Sequence, residues 1–234
     1  MTILSVVQNV CLAVGIAQPD QVFASTDREM QEMARFANEA AQHILNVEFD
    51  WQALQVIRTM TGDGFSEAFD LPEDYSRMLA TAGLWSNRWS WSFEPITSLE
   101  AWLEMQAVPF VAVNGQWIIF GDQLHILPVV GNAETVKFGY ISKNIVKPNT
   151  GTNKPAFDAD TDSFRLSERV LELCIIWKWL AQKGFPSDDA QDEYDRALYS
   201  AMNKDTGSKP ILSGNRPRYG RGSKWAFPYT VGGA

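Results

Sequence analysis

The chain has 234 residues, of which 45% are hydrophobic and 21% are charged, so it can bury a core and is not a disordered chain. Its formal net charge of −8 excludes a protein that holds nucleic acid mainly by neutralising phosphates. No basic stretch precedes the first apolar residues, so no secretion signal is visible. The longest apolar run, 170–181, is too short to span a bilayer. We therefore expect a soluble protein that is made in the cytoplasm and does not enter a membrane.

The C-terminal end of the chain differs from the rest in charge. Residues 206–234 contain five basic residues and no acidic residue, which leaves a net charge of −13 for the residues before them. The same segment has six Gly and three Pro among its aromatic residues, a composition that opposes helix and long strand. We predict an extended arm over residues 205–234 that folds onto a partner.

Apolar residues in the first fifty positions recur at helical spacing in two stretches. Residues 3–14 form one apolar stripe, and Gly15 follows where a C-terminal cap belongs. A capping box is predicted before the second helix, in which the Thr26 hydroxyl accepts a hydrogen bond from the Glu29 amide. This second helix should end near residues 49–51. Its predicted apolar face consists of Met30, Met33, Ala37, Ala41, Ile44 and Leu45.

From about residue 53 the pattern changes to short strands separated by turn signals. The clearest hairpin joins residues 116–120 to 123–127 across Gly121 and Asp122, because glycine tolerates the positive φ of a two-residue turn. A short helix is predicted at 98–106, with an apolar side that consists of Leu99, Trp102 and Leu103. Further strands are predicted at residues 54–60, 65–71, 78–85 and 135–141, with a turn at 61–64 between the first two. Together these strands predict a small antiparallel sandwich or barrel.

Helical periodicity returns after a polar segment, residues 142–162, for which we predict a surface loop. The next helix begins near Leu166, ends at Gly184 and has apolar residues on most faces, so we expect it to be central. We assign Trp177 and Trp179, which it carries, to packing. Ser187 is predicted to cap the last helix.

The predicted fold class is α+β: a helical bundle built from N- and C-terminal helices, with an inserted antiparallel β-rich domain and an extended C-terminal arm. Neither pair of helices buries its apolar face well alone, so one shared bundle is the natural arrangement. The predicted boundaries are 1–52 for the N-terminal helices, 53–148 for the β-rich insert, 149–204 for the loop and C-terminal helices, and 205–234 for the arm.

The sequence offers little for catalysis, and we expect a structural protein without a cofactor or metal. It has no glycine-rich phosphate loop, no dinucleotide fingerprint and no G-x-S-x-G motif. The two histidines, His43 and His125, have the surroundings of ordinary helix and strand residues. The acidic residues of the run 158–162 have the spacing that begins a calcium-binding loop. Ser163 and Arg169, however, occupy the positions at which such a loop needs Gly and Glu. We interpret Cys11 and Cys174 as buried small hydrophobes.

Two aromatic-rich segments are the candidate interaction sites. The first is predicted to pack in the core or to contact another subunit, and stacking on sugars is also open; it comprises Trp85, Trp89, Trp91 and Phe93. The second is the arm, whose aromatic and basic residues suit burial against an acidic partner. The arm residues concerned are Arg216, Arg218, Tyr219, Arg221, Lys224, Trp225, Phe227 and Tyr229. Nucleic-acid stacking and a merely solubilising tail are the alternatives for the arm.

Several stretches, in this order, resemble the head-to-tail adaptor proteins of tailed bacteriophages, a group that includes the tail tubular protein A proteins. The most useful stretches are TGDG at 61–64, FDLPEDY at 69–75 and GDQLHILP at 121–128. The sequences FGY at 138–140 and FRLSER at 164–169 continue the resemblance, which covers residues 1 to about 204. It implies a dodecameric ring stacked on the portal protein, with helical bundles around a channel through which DNA passes. It also implies contact with a tail or nozzle protein, and an arm that reaches into the portal. Under this resemblance the segment from Trp85 to Phe93 would contact a neighbouring subunit or the tail.

Two other classes of function compete with this interpretation. A carbohydrate-binding module of a phage tail or fibre would use exposed tryptophans to stack on sugars. A hydrolase would need a pocket with converging polar groups, and the sequence presents no nucleophile with a matching base. Under the adaptor interpretation the protein belongs at the head–tail interface of the virion and in the host cytoplasm before assembly.

Overall fold

The computed structural model describes residues 1–79, 83–88, 91–107 and 115–206, which form an α+β fold, as predicted. The helices within these residues are α1 (Ile3–Val14), α2 (Arg28–Leu45), α3 (Leu99–Ala107), α4 (Glu168–Lys183) and α5 (Asp188–Asp205). The strands are β1 (Gln55–Thr61), β2 (Ala68–Asp70), β3 (Tyr75–Met78), β4 (Leu84–Ser86), β5 (Ser92–Pro95), β6 (Gln116–Phe120), β7 (Gln123–Leu127), β8 (Thr135–Ser142), β9 (Val146–Lys147) and β10 (Ser163–Phe164).

The first two helices begin and end for different local reasons. Helix α1 ends as predicted at Gly15, which adopts the left-handed conformation with φ 77°. Helix α2 begins one residue later than the capping box requires, so that prediction was wrong. The first helical bond runs from the Gln31 amide to the Asp27 carbonyl, which makes Asp27 the N-cap instead of Thr26. The predicted apolar face of α2 is buried.

Helix α4 lies at the centre of the helical core, as its sequence predicted, and packs against α1, α2 and α5. Trp177 stacks on Tyr194 of α5, with ring centroids 5.7 Å apart. Trp179 is buried and stacks on Phe185. Gly184 ends the helix with φ 75°. The Ser187 side chain makes no capping hydrogen bond to α5, contrary to our prediction, although Ser187 occupies the N-cap position.

The segment 142–162 is exposed at about half of its positions, as its polarity predicted, but several of its residues are anchored in the core. Ile145, Val146 and Phe157 belong to the helical core, and Asp162 is buried. Its polar groups are satisfied internally, because the Asp162 carboxylate accepts the amides of Asp158 and Ala159, at 3.0 Å each. The segment also holds the start of α1, since the Ile3 amide donates to the Asp162 carbonyl at 2.6 Å.

Eight strands form one curled, mostly antiparallel sheet in the order β1-β8-β4-β5-β6-β7-β2, with β3 paired to β8. The β6–β7 hairpin has the predicted register and turn, in which Gly121 and Asp122 have φ 58° and 60°. Two features differ from the prediction. Strand β1 pairs with β8 and not with β2, and β5 pairs with β6 in parallel.

The sheet has a hydrophobic core of its own, distinct from the helical one, to which β1, β4, β5, β6, β7 and β8 contribute. The turn after β1 closes one end of this core. An added Cβ on Gly62 would lie 2.5 Å from the carbonyl oxygens of Val130 and Gly131, so only glycine fits. The Gly62 amide also donates to the Glu134 carbonyl at 2.8 Å, which fixes this turn against the loop before β8.

Candidate docking surfaces

The tryptophan-rich segment divides between surface and core. Trp85 on β4 is 49% exposed and Trp91 is 43% exposed, whereas Phe93 on β5 is only 2% exposed and packs in the sheet core. Trp89 lies outside the described residues. Both tryptophans keep a large exposed area, whereas Phe93 lies opposite the buried Leu84 in the β4–β5 pairing.

Beside Trp85 the sheet forms an apolar groove of about 640 Å³ across β1, β8 and β4. Ile57 lies at the edge of this groove and is 75% exposed. Gly139 lies directly opposite Ile57 in the β1–β8 register. We name this surface the tryptophan groove and define it by Ile57, Leu79, Trp85, Lys137 and Gly139. Lys137 is the only charged residue among the described residues that line it.

Sequence analysis did not identify Ile57 as a surface residue, although its position in the strand pattern indicated exposure. In β1 the residues alternate between two faces, and Ile57 shares the exposed face with the polar Gln55 and Thr59. An isoleucine on a strand face whose other residues are polar is expected to lie on the surface of this chain, as Ile57 does.

Helix α3 presents a second apolar surface. Trp102 is buried, and its ring lies 6.2 Å from that of His125 on β7, which anchors the helix to the sheet. The predicted apolar side of α3 is only partly buried, since Leu99 and Leu103 are about half exposed. These two leucines lie one turn apart on one face of the helix, and we call them the leucine ridge.

The predicted docking residues of the arm, from Arg216 to Tyr229, lie outside the described residues. The structure does describe the point from which the arm departs. At the end of α5 the Asp205 carboxylate accepts the Gln52 amide at 2.8 Å, which holds the helix end against the turn before β1. A cleft of about 480 Å³ beside this point is lined by Trp51, Arg165 and Lys204, among others.

The histidines serve packing in the described part of the chain. Burial, followed by the nearby Lys178, lowers the pKa of His43, whose ring lies 5.7 Å from Trp177. His125 stacks on Phe120, with ring centroids 3.8 Å apart.

The acidic run that begins at Asp158 is organised by protein groups. The Asp160 carboxylate accepts the amides of Val22 and Phe23, at 3.1 and 3.0 Å. The ammonium of Lys154 lies 2.7 Å from the Asp162 carboxylate and also pairs with Asp158. Within the described residues, no three His, Cys, Asp or Glu side chains come together in a way that could hold a metal ion.

The two cysteines are buried and unpaired, as their apolar surroundings predicted. Burial raises the pKa of both thiols, that of Cys174 to about 12, so neither carries the thiolate that nucleophilic chemistry requires. None of the described helices is both long and apolar enough to cross a membrane.

Two apolar surfaces of the described chain, the tryptophan groove and the leucine ridge, are suited to protein contacts. Comparison with protein families identifies the group: residues 1–218 match the SU10 adaptor protein family, and the chain belongs to that family. The resemblance to phage head-to-tail adaptors is thereby confirmed, and the protein is a structural adaptor of a phage. A comparison with curated proteins gave no match.

Proposed function

We propose that this chain forms a ring beneath the portal, joins the capsid to the tail and continues the channel through which DNA passes. The observation that carries the proposal is the family match, which covers all described residues and extends into the arm. An adaptor of this kind contacts the portal protein on one side and a tail or nozzle protein on the other. Twelve copies, the number implied by the resemblance, would match a dodecameric portal.

The charge distribution supports this arrangement. The residues before position 206 carry a net charge of −13, and an acidic channel lining would let DNA slide without adhering to the wall. The arm, with five basic residues, would supply the adhesion instead, by inserting its aromatic and arginine side chains into the portal. The protein would accumulate in the host cytoplasm and end at the head–tail interface of the virion.

The layout of the two hydrophobic cores supports the proposed division into units. The helices of residues 1–52 and 149–204 share one core, to which Leu54, Ile141 and residues 145–146 at the ends of the insert also contribute, and most strands of residues 53–148 share the other. In the ring, the helical units would stand side by side around the channel. The insert would carry the exposed Trp85 and Trp91 toward a neighbouring subunit or the tail, with Trp89 as a further candidate.

Negative-stain electron microscopy of the purified chain, alone and mixed with the portal protein of the same phage, tests the proposal. The expected result is a ring stacked coaxially on the portal. If the chain remains separate and monodisperse in the mixture, the adaptor ring is wrong. A mixture with a portal from an unrelated phage serves as the control for non-specific stacking.

A carbohydrate-binding tail module is the second candidate, and the exposure of Trp85 and Trp91 favours it. Exposed indole rings stack on the apolar faces of sugars, and this does not require assembly on a portal. A glycan array probed with the chain and with its Trp85→Ala variant separates the two functions. Glycan binding that is lost in the variant supports the carbohydrate-binding function, whereas the absence of binding to any glycan on the array contradicts it.

A further inference from the structure

Two exposed apolar surfaces lie toward opposite ends of the strand order. The tryptophan groove occupies β1, β8 and β4. The leucine ridge is on α3, which rests on the other end of the sheet, where the Gln106 amide donates to Glu67 just before β2. One surface is a groove and the other is a helix face, so the two differ in shape and can complement each other.

A ring requires this kind of asymmetry. A closed ring of more than two copies is built from heterologous contacts, in which one patch of each subunit meets a different patch of the next. We propose that the leucine ridge of one copy docks into the tryptophan groove of the next copy. The inference rests on the proposed ring and names the surfaces that join its subunits.

The charges on the two surfaces favour the leucine ridge, and not the arm, as the occupant of the tryptophan groove. Lys137 in the groove is exposed and makes no ion pair within the described part of the chain. Glu100 and Glu104 border the leucine ridge, are also exposed and likewise lack an ion pair there. A docked ridge therefore brings carboxylates toward Lys137, whereas the arm, with five basic residues and no acidic one, would bring like charge.

The chemistry of the groove also suits a protein helix. Trp85 offers a large, half-exposed ring beside Ile57, and aromatic anchors of this kind dominate the energy of protein interfaces. Leucine side chains one helical turn apart are the usual anchors of a helix that lies in an apolar groove. Gly139 contributes no side chain to this face of the sheet, directly opposite Ile57.

Cross-linking of engineered cysteines tests the contact in the full-length chain. The native Cys11 and Cys174 are buried, so a short bismaleimide reagent reacts mainly with introduced cysteines. The variant Ile57→Cys/Leu103→Cys should give a ladder of oligomers, because each copy links to two neighbours. Either single variant should give no species larger than a dimer. A matched control, Phe65→Cys/Leu103→Cys, uses an 89% exposed residue outside the groove and should also give no ladder.

Charge reversal adds a readout of the partner surfaces. In the double-cysteine chain, Glu100→Lys/Glu104→Lys should slow ladder formation severalfold, and Lys137→Glu in the same chain should restore the rate. A pattern no different from that of the single-cysteine variants overturns the proposed contact. If electron microscopy then still shows rings, only this contact is wrong; if it shows none, the proposed ring fails as well.

Discussion

Asp74 connects the segment before β3 to strand β8 and to the residue that follows it, through three hydrogen bonds. Its carboxylate accepts the Tyr140 hydroxyl at 2.8 Å and the Ser142 hydroxyl at 2.7 Å, and its carbonyl accepts the Lys143 amide at 2.7 Å. Burial and the hydrogen bond to Asp74 raise the pKa of Tyr140 to about 12, so the phenol stays protonated and donates. This residue belongs to the FDLPEDY stretch that carried the family resemblance, and its role in the fold is structural.

We predict that Asp74→Ala lowers the free energy of unfolding by about 1–3 kcal/mol, because it leaves partly buried hydroxyl groups without an acceptor. Urea denaturation of the wild type and the variant measures this change. The same substitution should cost less in a Tyr140→Phe background, where one of those hydroxyls is already absent. An equal loss in both backgrounds would show that the Tyr140 hydrogen bond contributes nothing.

The buried Asp162 makes stability depend on pH. Burial works to raise its pKa, but hydrogen bonds from Lys154 and from the Asp158 and Ala159 amides outweigh burial and lower it. A carboxyl group whose pKa is depressed by folding stabilises the protein above its ordinary pKa of about 3.9, and this contribution is lost as pH falls toward the folded-state pKa.

We therefore predict that the Lys154→Met variant is less stable than the wild type at neutral pH and loses less stability between neutral and acidic pH. Urea midpoints measured at several pH values provide the comparison. Lys147→Met, at an exposed lysine in the adjoining strand β9, is the matched control and should follow the wild type. Parallel pH profiles for Lys154→Met and the wild type would contradict the proposed role of the ion pair.

At the scale of elements, the turn after β1 depends on Gly62. We predict that Gly62→Ala destabilises the protein by about 1–3 kcal/mol, because the added methyl group would overlap two carbonyl oxygens. Gly184→Ala is a useful comparison, since nothing lies within 4 Å of its added Cβ and only backbone strain remains. Thermal unfolding of both variants would contradict the prediction if Gly62→Ala lost no more stability than Gly184→Ala.

Local elements were predictable and distant pairings were not. The β6–β7 hairpin followed from Gly121 and Asp122, because its pairing is adjacent in sequence. The pairing of β1 with β8 joins residues about eighty positions apart, and no local pattern specifies it. The parallel pairing of β5 and β6 did have a signal, since a helix between two strands is the usual connection of a parallel pair.

The candidate surfaces were predictable in part for the same reason. Composition identified Trp85 and Trp91 as interaction candidates but could not separate them from the buried Phe93, because strand bounds decide which side chains face the core. The exposure of Leu99 and Leu103 contradicted the usual expectation that the apolar side of a helix is buried. Such exposure becomes visible only when the other elements are in place.

For the whole molecule, the decisive prediction concerns the arm. We predict that deletion of residues 206–234 leaves the rest folded, because both hydrophobic cores lie within the earlier residues, and abolishes portal attachment. Circular dichroism checks the fold and electron microscopy with portal rings checks attachment. Full-length chains with Arg216, Arg218, Arg221 and Lys224 changed to Gln separate charge from the aromatic side chains. Unchanged portal binding by the truncated chain would refute the role of the arm.

The central position of α4 has a consequence for biosynthesis. Helices α1 and α2 pack mainly on a helix that begins at Glu168, so their partner is translated long after they leave the ribosome. At about 5–20 residues per second, this delay lasts on the order of ten seconds. All strands of the large sheet are synthesised within that interval. A nascent chain stalled before α4 would therefore display two amphipathic helices without the helix against which they mainly pack, which makes it a natural client of ribosome-associated chaperones.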